Sequence, residues 1–412
     1  MREVGLKTAT INFFSQLFSR PNPRVPIGRR SKVRISKAIF AIVATAGTAV
    51  LAVGCGSSNS SGGGSSVDWS KVTQLTASGP HSMAALVQAA EKEGQLNVIT
   101  LPSNWANYGN IMKDFTAKYH IHISDAIPEG SSGQEITAVQ TEKGQSRAPD
   151  VVDVGTPFAV EGANAHLWSS YKVQSWNNIA ANAKDANGDW YADYGGFVAI
   201  GYDPSKVKIP PTSFKSLTNP AYKNMIGLNN SPTTAGAAFA AVYAAALANG
   251  GSFSNIEPGI QYFAHLKKIG NFVPTAIGGP TTVQNGTTPI LIWWDYLLAS
   301  EVSPVVKGFK IVIPSDSTFA SYYDQAISAT APDPAAARLW EEYLYSTTGQ
   351  NLWLQGFARP IELSTLVSNG TVDQAALNAL PPAPSGSLTF PSQQQNATAE
   401  AAVTKDWAKD VG

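Results

Sequence analysis

The stretch SMAALVQAAEKEGQLNVIT, residues 82–100, holds one helix and one strand in succession. Ser82 is a residue type that begins helices, and apolar side chains then recur on one face. Gly94 is typical of the position where a helix ends. The short apolar run Leu96–Thr100 that follows predicts a buried strand.

The same alternation of helix and strand continues along the chain. Apolar side chains at spacings of three and four predict an amphipathic helix over Tyr108–Tyr119. Further strands are predicted at Ile121–Ile123, Val151–Val154, Gly196–Tyr202, Ile290–Trp294 and Lys310–Pro314. Further helices are predicted at Ala237–Asn249, Pro334–Tyr345 and Ala399–Lys409. Strands separated by helices predict an α/β fold, with mostly parallel sheets flanked by helices.

Composition limits the possible classes of protein. The chain has 412 residues, a length that predicts two folded lobes. Of these residues 43% are hydrophobic and ten are Trp, which excludes a wholly disordered protein. Residues 1–54 carry nine Lys or Arg and one acid, so the rest has 20 basic and 28 acidic residues, a formal charge of −8. No basic field remains, and nucleic acid is not expected as a partner.

The N-terminal segment has the pattern of an export signal. A basic run over residues 29–37 precedes Ala38–Gly54, which is uncharged and, at 17 residues, rather short for a membrane span. Cys55, the single cysteine, follows directly and precedes a Gly/Ser-rich tether. One cysteine excludes an intrachain disulfide. The alternative is a retained membrane helix with an incidental cysteine.

Cys55 in this setting resembles a bacterial lipobox, although Ala52 stands where that motif usually has Leu. The resemblance implies a diacylglycerol on the thiol, cleavage before Cys55 and firm anchoring by the acyl chains. The expected segments are a signal peptide over 1–54, and a lipidated cysteine with a flexible tether over 55–79.

Motifs for catalysis are missing from the sequence. The chain has no His-Glu-x-x-His, no Gly-x-Ser-x-Gly and no phosphate-binding Gly-x-x-x-x-Gly-Lys-Ser/Thr loop. We therefore expect a protein that is not an enzyme, without a cofactor or a bound metal. The rival class is a secreted hydrolase that acts on polysaccharide, because such enzymes also use aromatic-rich clefts.

Aromatic, amide and carboxylate side chains recur near the ends of predicted strands, where α/β sheets form their ligand crevice. Aromatic faces beside a carboxylate suit an organic cation, although about half of such aromatic residues are expected to be core. The segment Ser231–Gly236, which opens the Ala-rich helix, could hold an anion or act as an ordinary helix cap. The candidate ligand-binding residues are Asn104, Trp105, Tyr108, Thr156, Trp190, Asp193, Thr233, Trp294, Asp295 and Tyr296.

Several stretches in a fixed order resemble one family. They are Ala90–Ile99, Ala148–Val152, Trp190-Tyr191, Gly201–Pro204, Pro211–Leu217 with Asn219–Lys223, Ala331–Ala337, Tyr343–Ser346 and Gly349-Gln350. Together they resemble the solute-binding proteins of bacterial ABC importers, in the branch of polyamine, ferric-iron and aminoethylphosphonate binders. Phe214 stands where this family usually has Trp.

The resemblance implies a type II periplasmic-binding-protein fold, in which two α/β lobes close on a solute like a hinge. Lobe one is expected over 80–198 plus 310–412 and lobe two over 199–309, with crossing strands near Val198–Tyr202 and Lys310–Pro314. The expected partners are a small-molecule solute and an ABC permease. The binder is expected to be a monomer, held by its lipid on the extracytoplasmic face of the cell membrane.

The resemblance leaves the solute open. Ferric binders of this branch place two adjacent tyrosines after the strand that corresponds to Ile290–Ile292, whereas here Trp293-Trp294-Asp295-Tyr296 offers one. Tyr322-Tyr323 are adjacent but follow the return strand. We therefore expect a small organic cation of the polyamine type, with Asp193 and Asp295 as counter-charges. Ferric iron and aminoethylphosphonate are the alternatives.

Overall fold

The computed structural model describes residues 67–381, 383–384 and 390–412. The predicted signal peptide, Cys55 and the first part of the tether lie outside the described residues. Within the described ranges, no helix combines the length and the apolar character needed to cross a bilayer.

The described residues alternate between strands and helices. The strands are β1 (Gln95–Ile99), β2 (His122–Ala126), β3 (Val151–Gly155), β4 (Trp168–Ser169), β5 (Tyr191–Tyr202), β6 (Ile226–Leu228), β7 (Phe272–Ile277), β8 (Ile290–Trp294), β9 (Lys310–Val312), β10 (Ala320–Ser328) and β11 (Arg359–Pro360). The α-helices are α1 (Met83–Glu93), α2 (Tyr108–Tyr119), α3 (Ser132–Thr141), α4 (Thr156–Asn164), α5 (Gly236–Ala248), α6 (Glu257–Lys268), α7 (Pro280–Asn285), α8 (Asp295–Leu297), α9 (Pro334–Leu344), α10 (Thr347–Gln355), α11 (Leu363–Ser368), α12 (Gln374–Ala379) and α13 (Gln393–Asp410).

The opening helix and strand form as the sequence predicts. Ser82 caps α1, because its side chain accepts a hydrogen bond from the Ala85 N–H at 3.4 Å. Gly94 ends the helix with φ of 70°, in the left-handed region that glycine adopts without strain. Strand β1 follows at once, and its last four residues are buried.

The described strands form two sheets, a parallel pair and a mixed sheet of nine strands. β1 pairs with β2 in parallel, and β6 pairs in parallel with both β7 and β8. A larger path runs β3-β10-β5-β8-β6-β7, and the pairs that involve β5 or β10 are antiparallel. The α/β class is confirmed, with parallel pairing at one end of the path, between β8, β6 and β7, and antiparallel pairing from β3 through β8.

β5 joins the two halves of this path. Its first part pairs with β10, and the part from Val198 to Tyr202 pairs with β8 and β9. β5 begins at Tyr191, five residues before the predicted start, and is buried along its whole length. A buried strand that pairs with both halves of the path fits the crossing strand expected near Val198–Tyr202. The lobe ranges 80–198 plus 310–412 and 199–309 stay predictions.

Candidate functional site

A cavity of about 420 Å³ opens where the carboxyl ends of β1, β6, β7 and β8 come together. This volume falls within the range of small-molecule binding sites. The lining residues come from segments 100–105, 128–135, 229–236 and 277–282, together with Asp153, Trp293, Glu301 and Tyr323. The cavity therefore lies at the strand ends, where the sequence pattern places the ligand crevice.

Acidic side chains line this cavity without any basic ones among its described lining residues. Four carboxyl side chains line it, those of Glu129, Glu135, Asp153 and Glu301, and no Lys, Arg or His is among its described lining residues. Burial, together with the nearby charge of Glu129, raises the pKa of Glu301 to about 7. The wall thus favours a positively charged occupant.

Two of these acids form an inner acid pair, Glu135 and Asp153. The Asp153 N–H donates to Glu135 Oε2 at 3.1 Å, while Glu135 Oε1 and Asp153 Oδ1 are buried and have no hydrogen-bond partner within the described part of the chain. Burial raises the pKa of Asp153 to about 7. Burial, with the added charge of Asp153, holds the pKa of Glu135 well above its usual range. Near neutral pH the inner acid pair therefore retains protons that solvent-exposed acids would lose.

An aromatic wall made of Trp105, Trp293 and Tyr323 lines the same cavity. The Trp105 ring meets the Trp293 ring edge to face at 5.8 Å between centroids, and the Tyr323 ring likewise at 5.6 Å. Trp105 Nε1–H donates to Tyr194 Oη at 2.8 Å, and Tyr194 Oη–H donates to Asp153 Oδ2 at 2.7 Å. This chain of bonds fixes the wall and the inner acid pair in one arrangement.

Two helices also begin at the cavity. Residues at the start of α3 and of α5 line it, and the Gly133 N–H donates to the Thr234 carbonyl at 3.2 Å, which ties the two starts together. Close packing requires glycine beside them, because a Cβ on Gly155 would lie 3.0 Å from Gly236 Cα. Helix starts favour negative charge, so they oppose the effect of the four acids.

The structure brings two of the ten predicted binding residues, Asn104 and Trp105, to this cavity. Thr156, Trp190 and Trp294 line two much smaller pockets, of about 10 and 20 Å³. Thr233 lies beside Ser231, with 2.8 Å between their hydroxyl oxygens, and does not line the cavity. Tyr108, Asp193, Asp295 and Tyr296 are fully buried away from it.

The expected counter-charges of the solute have partners within the protein. Asp295 forms an ion pair with Arg359 at 2.7 Å and also accepts the Phe197 N–H at 2.8 Å. Asp193 accepts hydrogen bonds from the Gln325 side chain and the Tyr194 N–H. Neither carboxylate faces the cavity in this arrangement, and direct contact of either with a solute stays a prediction.

The inner acid pair is not among the ligand-binding residues predicted from the sequence. Asp153 lies inside the run Val151–Val154, whose apolar neighbours indicated a buried strand, and Glu135 lies on a helix that was not predicted. An acid inside an otherwise apolar strand was the available signal, since such a group is rarely buried without a reason. Of the adjacent tyrosines, Tyr323 lines the cavity, whereas the Tyr322 ring packs on Phe390 with 5.3 Å between centroids.

Among the residues that the structure describes, no group of three or more His, Cys, Asp and Glu side chains is arranged to hold a metal ion.

Comparison with known proteins places this geometry in context. The family described as bacterial extracellular solute-binding protein matches residues 146–383. The fold is similar to that of the periplasmic binding protein AfuA from Actinobacillus pleuropneumoniae, solved with fructose-6-phosphate, at 19% identity and a TM-score of 0.63, covering 77% of this chain and 98% of that one.

Two further solved proteins share the fold. The ferric binding protein from Campylobacter jejuni is 19% identical, with a TM-score of 0.58, over 77% of this chain and 99% of that one. An ABC transporter protein from Clostridium perfringens is 17% identical, with a TM-score of 0.53, over 77% of this chain and all (100%) of that one. The two-lobed type II periplasmic-binding-protein fold is thereby confirmed. By its family match, this chain belongs to the bacterial extracellular solute-binding proteins.

Proposed function

We propose that this protein captures a small organic cation outside the cytoplasm and delivers it to an ABC permease, while a lipid on Cys55 holds it at the membrane. Family membership supports the capture of a solute. The uncharged segment before Cys55 and the Gly/Ser-rich segment after it support export and tethering. The expected lobes, 80–198 plus 310–412 and 199–309, would close over the cavity.

The observation that carries the choice of solute is the charge of the cavity wall, with four carboxyl groups and no basic side chain among the described lining residues. A desolvated ammonium against an aromatic ring gains about 2 kcal/mol. Burying that ammonium without an opposite charge would cost far more. The aromatic wall and the inner acid pair supply both interactions, so an amine is the favoured solute.

A second candidate is an anionic solute, such as a phosphonate. The starts of α3 and α5 at the cavity favour it, because unpaired N–H groups of a first helical turn bind anions. The same anion would have to approach Glu135 and Asp153, and no described lining residue offers a cationic side chain to offset that repulsion. We therefore place the anion second.

Replacing Asp153 with Asn tests the proposal. In isothermal titration calorimetry, a panel of amines should include a ligand whose affinity falls about tenfold or more in Asp153→Asn, because a buried ammonium loses its charged partner. Asp324→Asn is the matched control, since Asp324, on β10, is also buried (1% exposed, against 5% for Asp153) but does not line the cavity.

Three results would contradict the amine. If a phosphonate, a sugar phosphate or a ferric salt gives a binding heat in calorimetry when no amine does, the solute is that anion or metal and not an amine. An anion that binds more tightly to Asp153→Asn than to the unaltered protein would point the same way. Turnover on a glycan panel, abolished by changing one aspartate, would favour the secreted hydrolase instead.

A further inference from the structure

Four buried polar atoms on residues that line the cavity have no hydrogen-bond partner among the residues that the structure describes. Three are acceptors, Glu135 Oε1, Asp153 Oδ1 and Asn229 Oδ1, and one is a donor, the Trp293 Nε1–H. Glu135 is 1% exposed, and Asp153 and Trp293 are each 5% exposed.

Such groups are rarely left unsatisfied in folded proteins. Each buried donor or acceptor without a partner destabilises the folded protein, because it has lost its hydrogen bonds to water. The four atoms come from separate parts of the fold. Glu135 lies on α3, Asp153 on β3 and Trp293 on β8, while Asn229 directly follows β6. Because the residues that carry these atoms all line one cavity, a single molecule bound there would be the partner they share.

The pattern of three acceptors and one donor specifies a complementary molecule. A primary ammonium carries three N–H donors and no acceptor, as the lysine head group does. A quaternary ammonium has no N–H to donate, and an alkylamine has nothing that could accept from Trp293. An oxygen on the same molecule as the ammonium would accept that fourth bond.

We propose that the solute is a primary amine that also carries a hydroxyl or carboxyl oxygen, with its ammonium at Glu135, Asp153 and Asn229 and its oxygen at Trp293 Nε1–H. This inference rests on the proposed function, because it presupposes that the cavity takes a cation. It narrows that cation to an amino alcohol or an amino acid, in place of a simple polyamine or a quaternary ammonium.

The neighbouring tryptophan offers a matched control. Trp294 is 2% exposed on the same strand, but it lines a separate pocket of about 10 Å³. Trp293→Phe and Trp294→Phe therefore remove the same group from similar surroundings, and only the first removes it from the cavity.

The test is calorimetry on the full chain with five probes: 3-aminopropan-1-ol, β-alanine, n-butylamine, 1,3-diaminopropane and choline. One of the two oxygen-bearing amines should bind at least about tenfold more tightly than n-butylamine and 1,3-diaminopropane, because a buried site built to hydrogen-bond an oxygen rejects analogues that lack it. Tighter binding of 3-aminopropan-1-ol would indicate that the oxygen of the solute is a hydroxyl, and tighter binding of β-alanine that it is a carboxylate. Choline should bind most weakly.

Trp293→Phe should abolish the preference for the oxygen-bearing probe, and Trp294→Phe should keep it. If choline, n-butylamine or 1,3-diaminopropane binds as tightly as both oxygen-bearing amines to the unaltered protein, this inference is overturned while the proposed function stands. The probe series gives that answer even if the Phe variants do not fold. If none of the five probes binds while another amine of the panel does, this inference alone is overturned; if no amine of the panel binds, the proposed function itself fails.

Discussion

At the scale of single residues, Glu135 and Asp153 place two acids side by side in a cavity that holds no basic side chain among its described lining residues. Burial raises the pKa of both groups, that of Asp153 to about 7. The hydrogen bond from Tyr194 Oη–H lowers the pKa of Asp153 and partly opposes this effect. Around neutral pH, the pair therefore holds protons that an arriving ammonium would replace.

We predict that binding of the cation releases protons. A positive charge beside the pair lowers the pKa of both acids, so protons bound to the empty site leave when the solute enters near pH 7. Calorimetric heats measured in buffers of different ionisation enthalpy should then differ for the unaltered protein. The difference should shrink in Asp153→Asn, and affinity should fall as the pH is lowered below 7. Equal heats in all buffers would contradict this prediction.

The sequence predicts the types of residue at this site better than their positions. Aromatic rings with carboxylates were expected at strand ends, and Trp105 and Asn104 do line the cavity. The ion-pair partner of Asp295 could not be predicted from the local sequence, because Arg359 lies 64 residues further along the chain. An ion pair between distant segments depends on the tertiary fold and leaves no local pattern.

At the scale of elements, the starts of α4 and α5 pack against each other through glycine. A Cβ on Gly155 would lie 3.0 Å from Gly236 Cα, a backbone atom that has little room to move. We predict that Gly155→Ala lowers the free energy of unfolding by about 1–3 kcal/mol, as overpacking does, when measured by urea denaturation.

Gly279→Ala serves as the control. Gly279 precedes α7 at the wall of the cavity, has extended backbone with φ of −174°, and has no atom within 4 Å of an added Cβ. Its substitution should leave stability nearly unchanged. Equal losses in the two variants would show that the close contact at Gly155 is not the cause.

Helices with apolar stripes and strands with continuous apolar runs were predicted well, as α2, α9 and β8 illustrate. β10 was missed because Asp324 and Gln325 interrupt its apolar pattern, although the sheet buries both residues. The Nε2 amide group of Gln325 donates there to Tyr108 Oη and Asp193 Oδ2, which lie in distant parts of the sequence. Polar strand residues with tertiary partners defeat a rule based on local hydropathy.

At the scale of the whole molecule, the proposed lipid on Cys55 determines where the protein is found. We predict that Cys55→Ser, expressed as the full chain in a bacterium with a lipoprotein pathway, moves the protein from the membrane fraction to the soluble fraction. The reason is that acyl chains contribute about 0.8 kcal/mol for each buried methylene. Fractionation and immunoblotting measure the distribution. Persistence in the membrane fraction would indicate a retained helix.

The contact between Trp105 and Trp293 gives the molecule an optical reporter of its own. Their rings lie 5.8 Å apart at an interplanar angle of 69°, one following β1 and the other on β8. Two indoles at this distance and angle couple their electronic transitions, so near-ultraviolet circular dichroism carries a signal that depends on their mutual orientation. Any opening that separates the segment after β1 from β8 would weaken that band, and closure on a solute would restore it, without an attached dye.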